Sequence, residues 1–571
     1  MQTSRLDRCL ALLLFLLALL LRAYRLAANP LWLDEIGGLQ LARQGVTAIL
    51  NNSRYDPHPP LYYLWLWLTT GGGAWASEWA LRWTSVLFGA LAVPLLYRLA
   101  RRYAGPIPAA AASLLVLASP VHLYFSQEAR SPALLFLLAS LTTWLLDAPH
   151  EKLRARWAAW AALSLLGAYS GYSFLMVVAV QGLWVLGSAR RSSAARVALV
   201  AVVLGLLPLA FVAAGTLASI AAEGAGLALE LNDVWGALLA GDPARYGLYW
   251  GHAWLPIMLG LLAALGAWRL ARHPSRWSNY YLLQVALPVA GYFLVLKPIL
   301  AIEMPLYQSR QFIPLLPAGY VLVAAGFDAL CAPLANRRGE AFAAGARSQT
   351  QSVGRMLRPA WFPAGAAAVL FIIALLASGV GVGRYWAAIK SPEGDLARYL
   401  QAQGASGETI VSLHYSLDAA LSAYAPLGPI YTKPLGPSPA TLFSTSLSIV
   451  RADWLTVTRN HSLAEVQQST QRWLMWLEDD HEDVVADLSA GCSVTDEVTF
   501  GPFKARHLSD CAQPMLHRYT HHSRMGTAEV CYDPRSGGEN QRDPYSPYRH
   551  PADCTGANRL QFGCAIADCG H

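Results

Sequence analysis

Runs of about twenty apolar residues recur along most of this chain and restrict what it can fold into. Of its 571 residues, 55% are hydrophobic and only 14% are charged. The apolar runs fill residues 9–383 and then stop. A helix needs about 20 such residues to cross the hydrocarbon core of a bilayer. The pattern therefore predicts a polytopic α-helical membrane domain over residues 1–383, and it excludes an ordinary soluble globular protein.

Basic residues in the short loops orient these helices, because Lys and Arg favour the cytoplasmic side. Arg5 and Arg8 precede the first run, Cys9–Leu26, which places the N-terminus in the cytoplasm. The run Pro60–Leu68 is too short to cross and is predicted to lie at the outer face. The remaining runs, including Ile107–Phe125, then alternate through about eleven transmembrane helices of a multi-pass protein in the inner or plasma membrane. The net charge of +7 is interpreted as this topology signal, with no nucleic-acid partner.

Residues 384–511 are predicted to form a small extracytoplasmic soluble α/β domain. Thr409–Leu413 and Asp453–Val457 have the composition of buried strands. Asp395–Gln403 and Leu463–Leu477 have helical spacing of apolar residues. Alternating short strands and helices favour a layered sheet.

Residues 512–571 form a polar tail that contains Cys and His and is predicted to be disordered. Six of the eight cysteines lie at or after Cys492, which in an exported domain indicates disulfides. The bridge Cys492–Cys511 is the most favoured pairing. The zinc ligands considered at the end of the chain, Cys564, Cys569 and His571, match no strong zinc pattern.

Acidic and basic side chains from distant segments are predicted to meet at the outer leaflet. Asp34 and Glu35 directly follow the first apolar run, where desolvation makes carboxylates costly unless they are paired or functional. A carboxylate can deprotonate an acceptor hydroxyl, and cations can bind a phosphate leaving group. The candidates on this side of the membrane are Asp34, Glu35, Asp56, His58, Arg82, Glu128, Arg130, Tyr172, Lys297, Glu303 and Arg310.

Seven of these candidates also have a structural interpretation. Asp34 suits a helix N-cap, and Glu35 suits the positive end of a helix dipole. Asp56 occupies a Pro-rich turn, where Asp often bonds its own backbone. Glu128 and Arg130 could form a local ion pair. Arg82 and Arg310 could be anchors at the lipid headgroups.

Five short motifs in order resemble glycosyltransferase family 39, which includes protein O-mannosyltransferases and lipid A aminoarabinose transferases. They are Trp32-Leu-Asp-Glu35, Asp56-Pro-His-Pro-Pro-Leu-Tyr-Tyr63, Glu78-Trp-Ala-Leu-Arg-Trp83, Ser126-Gln-Glu-Ala-Arg130 and Tyr169-Ser-Gly-Tyr172. In the last motif, relatives often have Thr-His at the two middle positions. The resemblance covers roughly residues 1–383 and is strongest over residues 29–190.

This resemblance implies a C-type glycosyltransferase (GT-C) fold and inverting transfer of a sugar, a hexose or a pentose, from a polyprenyl phosphate on the outer face. Asp34 is expected to act as the base or to orient the acceptor, with Glu35 and Glu128 as further catalytic candidates. The acceptor is an exported protein, lipid or envelope glycan, and membrane lipids surround the enzyme.

The remaining candidates are expected to bind substrate. They are Asp56, His58, Arg82, Arg130 and Tyr172, with Lys297 and Arg310 on the phosphate. Some members of the family bind a divalent metal ion, so Asp34, Glu35 and His58 are candidate ligands, and the need for a metal is left open.

Two other classes of protein have to be weighed against an enzyme. A polyprenyl-linked lipid or sugar transporter is expected to carry charges at mid-membrane and internal repeats. The chain has its polar candidates at one boundary and no repeat. A catalytically inactive envelope scaffold would not require the intact Asp34-Glu35 pair.

Overall fold

The structure is a computed structural model that describes most of the helical part of the chain and selected strands of the C-terminal part. The described residues are 5–53, 58–147, 153–188, 192–223, 254–272, 276–296, 309–344, 362–387, 391–403, 409–412, 417, 420–421, 423, 448–451, 457–458, 471–478, 485–486, 489, 491–511, 518–523 and 526–531.

Helices account for nearly all of the described residues before residue 403. They are α1 Arg5–Ala23, α2 Leu33–Gln44, α3 Val46–Asn52, α4 Leu61–Thr69, α5 Glu78–Ala100, α6 Pro106–Leu117, α7 Pro120–Ser126, α8 Pro132–Asp147, α9 Leu153–Ser170, α10 Phe174–Ser188, α11 Ser193–Glu223, α12 Trp254–Arg272, α13 Arg276–Gly291, α14 Leu316–Ala344, α15 Phe362–Ala387 and α16 Pro392–Ala402. A π turn, Tyr292–Leu296, follows α13, and a 3₁₀ turn, Ser309–Leu315, precedes α14.

Four helices of the described part are long and apolar enough to cross a bilayer, or five if the bent pair α6–α7 is one span. They coincide with Glu78–Ala100, Ser193–Ala214, Gln311–Cys331 and Ala367–Trp386. Because this count covers only long helices of the described residues, the predicted number of about eleven stays a prediction. The helix α4 has only 9 residues, which agrees with a segment too short to cross.

The predicted span Ile107–Phe125 is two helices, α6 and α7, bent by 56°. The sequence at the break explains the bend. Pro120 is at the first turn of α7, where its missing N–H costs nothing. Ser119 caps α7, because its Oγ accepts a hydrogen bond from the backbone N–H of His122 at 3.3 Å.

Chain contacts divide the molecule into two units. The first contains residues 1–26, 50–69 and 79–388, and the second contains residues 27–49, 70–78 and 389–571. The second unit therefore combines segments near the N-terminus with the C-terminal part. The boundaries predicted from the sequence, at residues 383 and 511, stay predictions.

Helices of the first unit pack closely through small residues and a buried polar network. Gly266 of α12 and Gly326 of α14 each face the backbone of the opposite helix. A Cβ added to Gly266 would lie 1.9 Å from the Leu322 carbonyl oxygen, and a Cβ added to Gly326 would lie 2.1 Å from the Leu262 carbonyl oxygen. Such close approach of backbones is common where helices meet in membranes.

The amide of Gln181 connects three further helices of this unit. Its Nε2 donates to Thr142 Oγ1 and to the Tyr280 hydroxyl, both at 3.0 Å, and its Oε1 accepts from Trp160 Nε1 at 2.8 Å. These bonds satisfy buried polar groups that would otherwise be costly in a membrane interior.

The second unit contains a six-stranded mixed sheet in the order β3-β2-β1-β4-β6-β5. The strands are β1 Thr409–Ser412, β2 Ser448–Arg451, β3 Val457–Thr458, β4 Arg472–Leu477, β5 Ser493–Phe500 and β6 Phe503–Ser509. A separate hairpin pairs β7 Arg518–Ser523 with β8 Gly526–Cys531. Among the described strands, only β1 and β4 pair in parallel.

One predicted helix of this region is wrong in part. The run Leu463–Leu477 was predicted to be helical, but Arg472–Leu477 forms β4, with strands on both sides. Trp473, Leu474, Met475 and Trp476 are all buried, so this run is apolar on both faces, and periodicity cannot distinguish a buried strand from a helix. The predicted strand at 409–413 and the helix at 395–403 are confirmed as β1 and α16. The strand predicted at 453–457 falls mostly outside the described residues.

Candidate active site

Asp34 lies in the first turn of α2, in the second unit. The helix starts at Leu33, so the partial positive charge of its N-terminus favours the carboxylates of Asp34 and Glu35. Asp34 is half-buried, and Glu35 is fully buried. The Oε2 atom of Glu35 accepts a hydrogen bond from the backbone N–H of Trp32 at 3.4 Å. This contact is one half of a capping box and supports the structural interpretation of Glu35.

A glycine turn covers one face of α2. Residues 71 to 73 are all glycines with positive φ. A Cβ on Gly73 would lie 2.6 Å from Cγ of Arg43 and 3.4 Å from Leu39, so the backbone approaches α2 directly. Burial lowers the pKa of Arg43 from its ordinary value. The turn thus fixes the helix that carries Asp34.

In the first unit, the structure brings together two predicted residues from distant segments. Nη2 of Arg130 contacts Nε2 of His58 at 2.5 Å, across 72 positions of the chain. A guanidinium can only donate, so Nε2 of His58 is the acceptor in this contact. Arg130 is 8% exposed, so its charge is largely shielded from water.

The segment Ser126–Arg130 is fixed to the end of α1 by its neighbour Gln127. Its Nε2 donates to the carbonyls of Arg22 and Tyr24, at 2.7 and 2.8 Å. Glu128 is fully buried next to this anchor, and its carbonyl accepts from the backbone N–H of Arg130 at 2.8 Å. The side chain of Glu128 is therefore shielded from water, and its catalytic role stays a prediction.

Sequence reasoning missed a buried polar cluster next to this segment. Arg22 is fully buried, and its Nε donates to Ser126 Oγ at 3.2 Å while its Nη2 contacts His122 Nδ1 at 2.8 Å. Gly89 makes room for this pair, since a Cβ there would lie 2.1 Å from Ser126 Oγ. Two features of the sequence could have indicated this cluster. Arg22 is a cation near the end of the first apolar run, and His122 lies inside the run Ile107–Phe125.

Two further predicted residues of the first unit, Arg82 and Tyr172, have side chains that the structure describes. Arg82 is 2% exposed, and its Nη1 donates to the carbonyl of Leu26 at 2.9 Å. The guanidinium therefore lies inside the protein, which disfavours the interpretation of Arg82 as a headgroup anchor. Tyr172 is half-buried in the turn between α9 and α10, where its carbonyl accepts from the N–H of Leu175.

Four predicted residues fall wholly or partly outside the described part. Asp56, Lys297 and Glu303 lie outside it. Arg310 lies in the 3₁₀ turn Ser309–Leu315, and its side chain is outside the described part. Their roles stay predictions.

The described side chains do not form a metal centre. Among them, no group of three or more His, Cys, Asp and Glu residues is placed to hold a metal ion. The Glu35 carboxylate, one of the candidate ligands, is engaged by the backbone of Trp32. The candidate ligands Asp34, Glu35 and His58 therefore stay predictions.

Comparison with known proteins shows what this chain is similar to. A family model described as dolichyl-phosphate-mannose-protein mannosyltransferase matches residues 57–214. Comparison with curated protein sequences finds no match. The fold is similar to the crystal structure of apo ArnT from Cupriavidus metallidurans, with 14% identity and a TM-score of 0.53, over 87% of this chain and 97% of that one. It is also similar to the structure of the same protein bound to undecaprenyl phosphate, with 16% identity and a TM-score of 0.51, over 88% of this chain and 99% of that one.

These comparisons confirm the predicted resemblance to glycosyltransferase family 39. They also confirm a polytopic membrane protein with a fold like that of ArnT. At this level of identity, the likeness to the solved structures concerns the fold alone.

Proposed function

We propose that this protein is an inverting glycosyltransferase that moves a sugar from a polyprenyl phosphate to an exported acceptor. The observation that carries the proposal is the likeness of fold, over nearly the whole chain, to an ArnT structure bound to undecaprenyl phosphate. The match of residues 57–214 to a mannosyltransferase family model supports the same reaction class.

The proposed chemistry needs a base, a phosphate site and a membrane anchor for the donor. A carboxylate, Asp34, takes the proton of the acceptor hydroxyl. The hydroxyl oxygen forms a bond to the anomeric carbon from the face opposite the leaving group, which inverts that carbon. The bond from the anomeric carbon to the phosphate oxygen breaks, and the polyprenyl phosphate leaves with the electron pair.

Cations stabilise the negative charge that develops on the leaving phosphate. We assign this role to Lys297 and Arg310. Arg82 and Arg130, which are buried cations of the first unit, bind the substrate. Glu128 and His58 support the catalytic group, and Asp56 and Tyr172 contact the sugar or the acceptor. Glu35 primarily caps α2, in keeping with its contact to Trp32.

The proposed setting is a cell inner or plasma membrane, with the N-terminus in the cytoplasm and about eleven crossings. The C-terminal α/β part then lies outside and shapes access of the acceptor. The disulfide between Cys492 and Cys511 supports an oxidising exterior for this part.

Sugar transfer in membranes tests the proposal. The donors are a panel of radiolabelled polyprenyl-phosphate sugars, both hexoses and pentoses, offered to membranes that contain the wild type or Asp34→Asn. Glu478→Gln is the matched control, because it removes one carboxylate of the second unit from an exposed ion pair with Lys504. We expect transfer by the wild type and the control and a loss of at least about a hundredfold in Asp34→Asn, as for removal of a catalytic base.

Two results would contradict this proposal. Equal transfer by the wild type and Asp34→Asn at equal expression would remove Asp34 from the reaction and direct the same test to Glu128. Movement of the intact lipid-linked donor across the bilayer, without transfer of its sugar, would instead favour a transporter.

A further inference from the structure

The N-terminus of α16, Pro392–Ala402, contacts the backbone that leads into α2, and both belong to the second unit. Ser391 makes the first contact. Its hydroxyl donates to the carbonyl of Leu31 at 2.9 Å and accepts from the N–H of Gly394 at 3.1 Å. One side chain therefore caps α16 and holds a carbonyl three positions before Asp34.

Glu393 makes the second contact. Its carboxylate is hydrogen-bonded to the backbone N–H of Leu33, the first residue of α2. That N–H has no acceptor within its own helix, so the neighbouring helix satisfies it. Glu393 is 8% exposed, and burial raises its pKa.

Arg398 makes the third contact, one turn further along α16. Its Nη1 donates to the carbonyl of Ala28 at 3.3 Å, and its Nη2 forms an ion pair with Glu78. Between these polar contacts, Gly394 packs against Pro30, and a Cβ on Gly394 would lie 2.7 Å from the proline ring. Four residues of the segment from Ala28 to Leu33 thus touch α16 or its cap.

These contacts mostly engage backbone atoms, which distinguishes them from ordinary packing between surfaces. Fixing the carbonyls of Ala28 and Leu31 and the N–H of Leu33 restricts the dihedral angles that place the next residue, Asp34. Displacement of a catalytic group by about 1 Å can lower a rate about a hundredfold. A packing interaction with no role in the reaction would change stability and leave turnover intact.

We propose that α16 positions Asp34 for catalysis, with Ser391 and Arg398 as positioning residues. This inference rests on the proposed function, because it assumes that Asp34 acts in the transfer. It assigns the C-terminal part a role in turnover in addition to acceptor access.

The test compares the full-length protein with Ser391→Ala and Arg398→Met. Tyr399→Phe is the control on the same helix, because the Tyr399 hydroxyl donates to Asp496 of β5 at 2.8 Å and not to the segment before α2. The readouts are kcat and KM for donor and acceptor, the melting temperature, and hydrogen exchange of the peptide that spans residues 29–36.

We expect kcat to fall by about ten- to a hundredfold in Ser391→Ala and Arg398→Met, as for a misplaced catalytic group, with KM changed less than about twofold. Exchange over residues 29–36 should become faster in both variants and stay unchanged in Tyr399→Phe. Arg398→Lys should restore part of kcat, since it keeps the charge next to Glu78 but not the second guanidinium contact.

Two outcomes separate this inference from the function on which it rests. If Asp34→Asn abolishes transfer while Ser391→Ala and Arg398→Met keep the kcat of Tyr399→Phe, the positioning role is wrong and the function stands. If Asp34→Asn transfers sugar as the wild type does, the proposed function itself fails. If Arg398→Met yields little folded protein, the milder variant Ser391→Ala is sufficient for the test. Hydrogen exchange over residues 29–36 that is unchanged in Ser391→Ala would then overturn the positioning role.

Discussion

The guanidinium of Arg22 donates to the hydroxyl of Ser126 at 3.2 Å, across 104 positions of the chain. The same hydroxyl donates to the carbonyl of His122 at 2.5 Å. A fully buried cation at the end of α1 is therefore held by the short helix α7, immediately before the segment that carries Glu128 and Arg130.

Replacing Ser126 by Ala should destabilise the protein by about 1–3 kcal/mol, because a buried N–H of Arg22 loses its acceptor. Ser164→Ala is the matched control. Ser164 is also fully buried, but its hydroxyl has no hydrogen-bond partner among the described residues, so its removal should be neutral or stabilising. Thermal unfolding of the purified proteins in detergent measures the stability of Ser126→Ala and Ser164→Ala. Equal melting temperatures of these two variants would contradict the role of Ser126.

Replacing Gly266 by Ala should destabilise the pair α12–α14. The new Cβ would lie 1.9 Å from the Leu322 carbonyl, so the helices must separate. Overpacking of this kind costs about 1–3 kcal/mol. Gly260→Ala, on the same helix with nothing within 4 Å of its Cβ, should be neutral or slightly stabilising. The measurement is the melting temperature of the two variants in the same detergent. An equal decrease of melting temperature in both variants would contradict the close contact at Gly266.

Glu393 should make the stability of the protein depend on pH. Burial is the largest cause that raises its pKa above the ordinary 4.5, so the folded state binds its proton more tightly than the unfolded state does. Stability contributed by this group is present below the ordinary value and is lost as pH rises through the raised pKa. A tenfold difference in proton affinity between the two states corresponds to about 1.4 kcal/mol of stability.

The comparison of the wild type with Glu393→Gln isolates this effect. The Gln side chain can still accept from the N–H of Leu33 but does not titrate. Asp395, whose pKa burial also raises against the opposing charge of Arg398, is present in both proteins. Melting temperatures measured from about pH 4.5 to about pH 7 should diverge in favour of the variant as pH rises. Parallel curves would show that the Glu393 carboxylate keeps its ordinary pKa.

The bridge Cys492–Cys511, predicted from the sequence, is confirmed in the structure. It joins residues on either side of the hairpin β5–β6, separated by 19 positions, and a loop of this length contributes about 3 kcal/mol in the chain-entropy model. Cys492→Ser should therefore lower the melting temperature of the C-terminal part as much as reduction of the wild type does. The control is Cys9→Ser, at an exposed free cysteine. A wild type that melts alike with and without reductant would contradict the contribution of the bridge.

Several elements could be read from the sequence because one local pattern specifies each of them. The apolar runs predicted helices long enough to cross a bilayer, such as α5, and the spacing at 395–403 predicted the amphipathic α16. The short run before Gly71 correctly indicated a helix too short to cross, α4. The bend between α6 and α7 and the strand β4 were missed, because a cap inside an apolar run and a strand buried on both faces carry no distinct period.

The motifs of the sequence determined the family resemblance, the reaction class to propose and Asp34 as its first candidate. Only the tertiary structure decided which distant side chains meet. It paired His58 with Arg130, enclosed Arg22 with Ser126, and brought Ser391 to Leu31 across 360 positions. Such contacts depend on how helices pack and where the chain returns, and no local pattern of residues encodes the partner of a buried polar group.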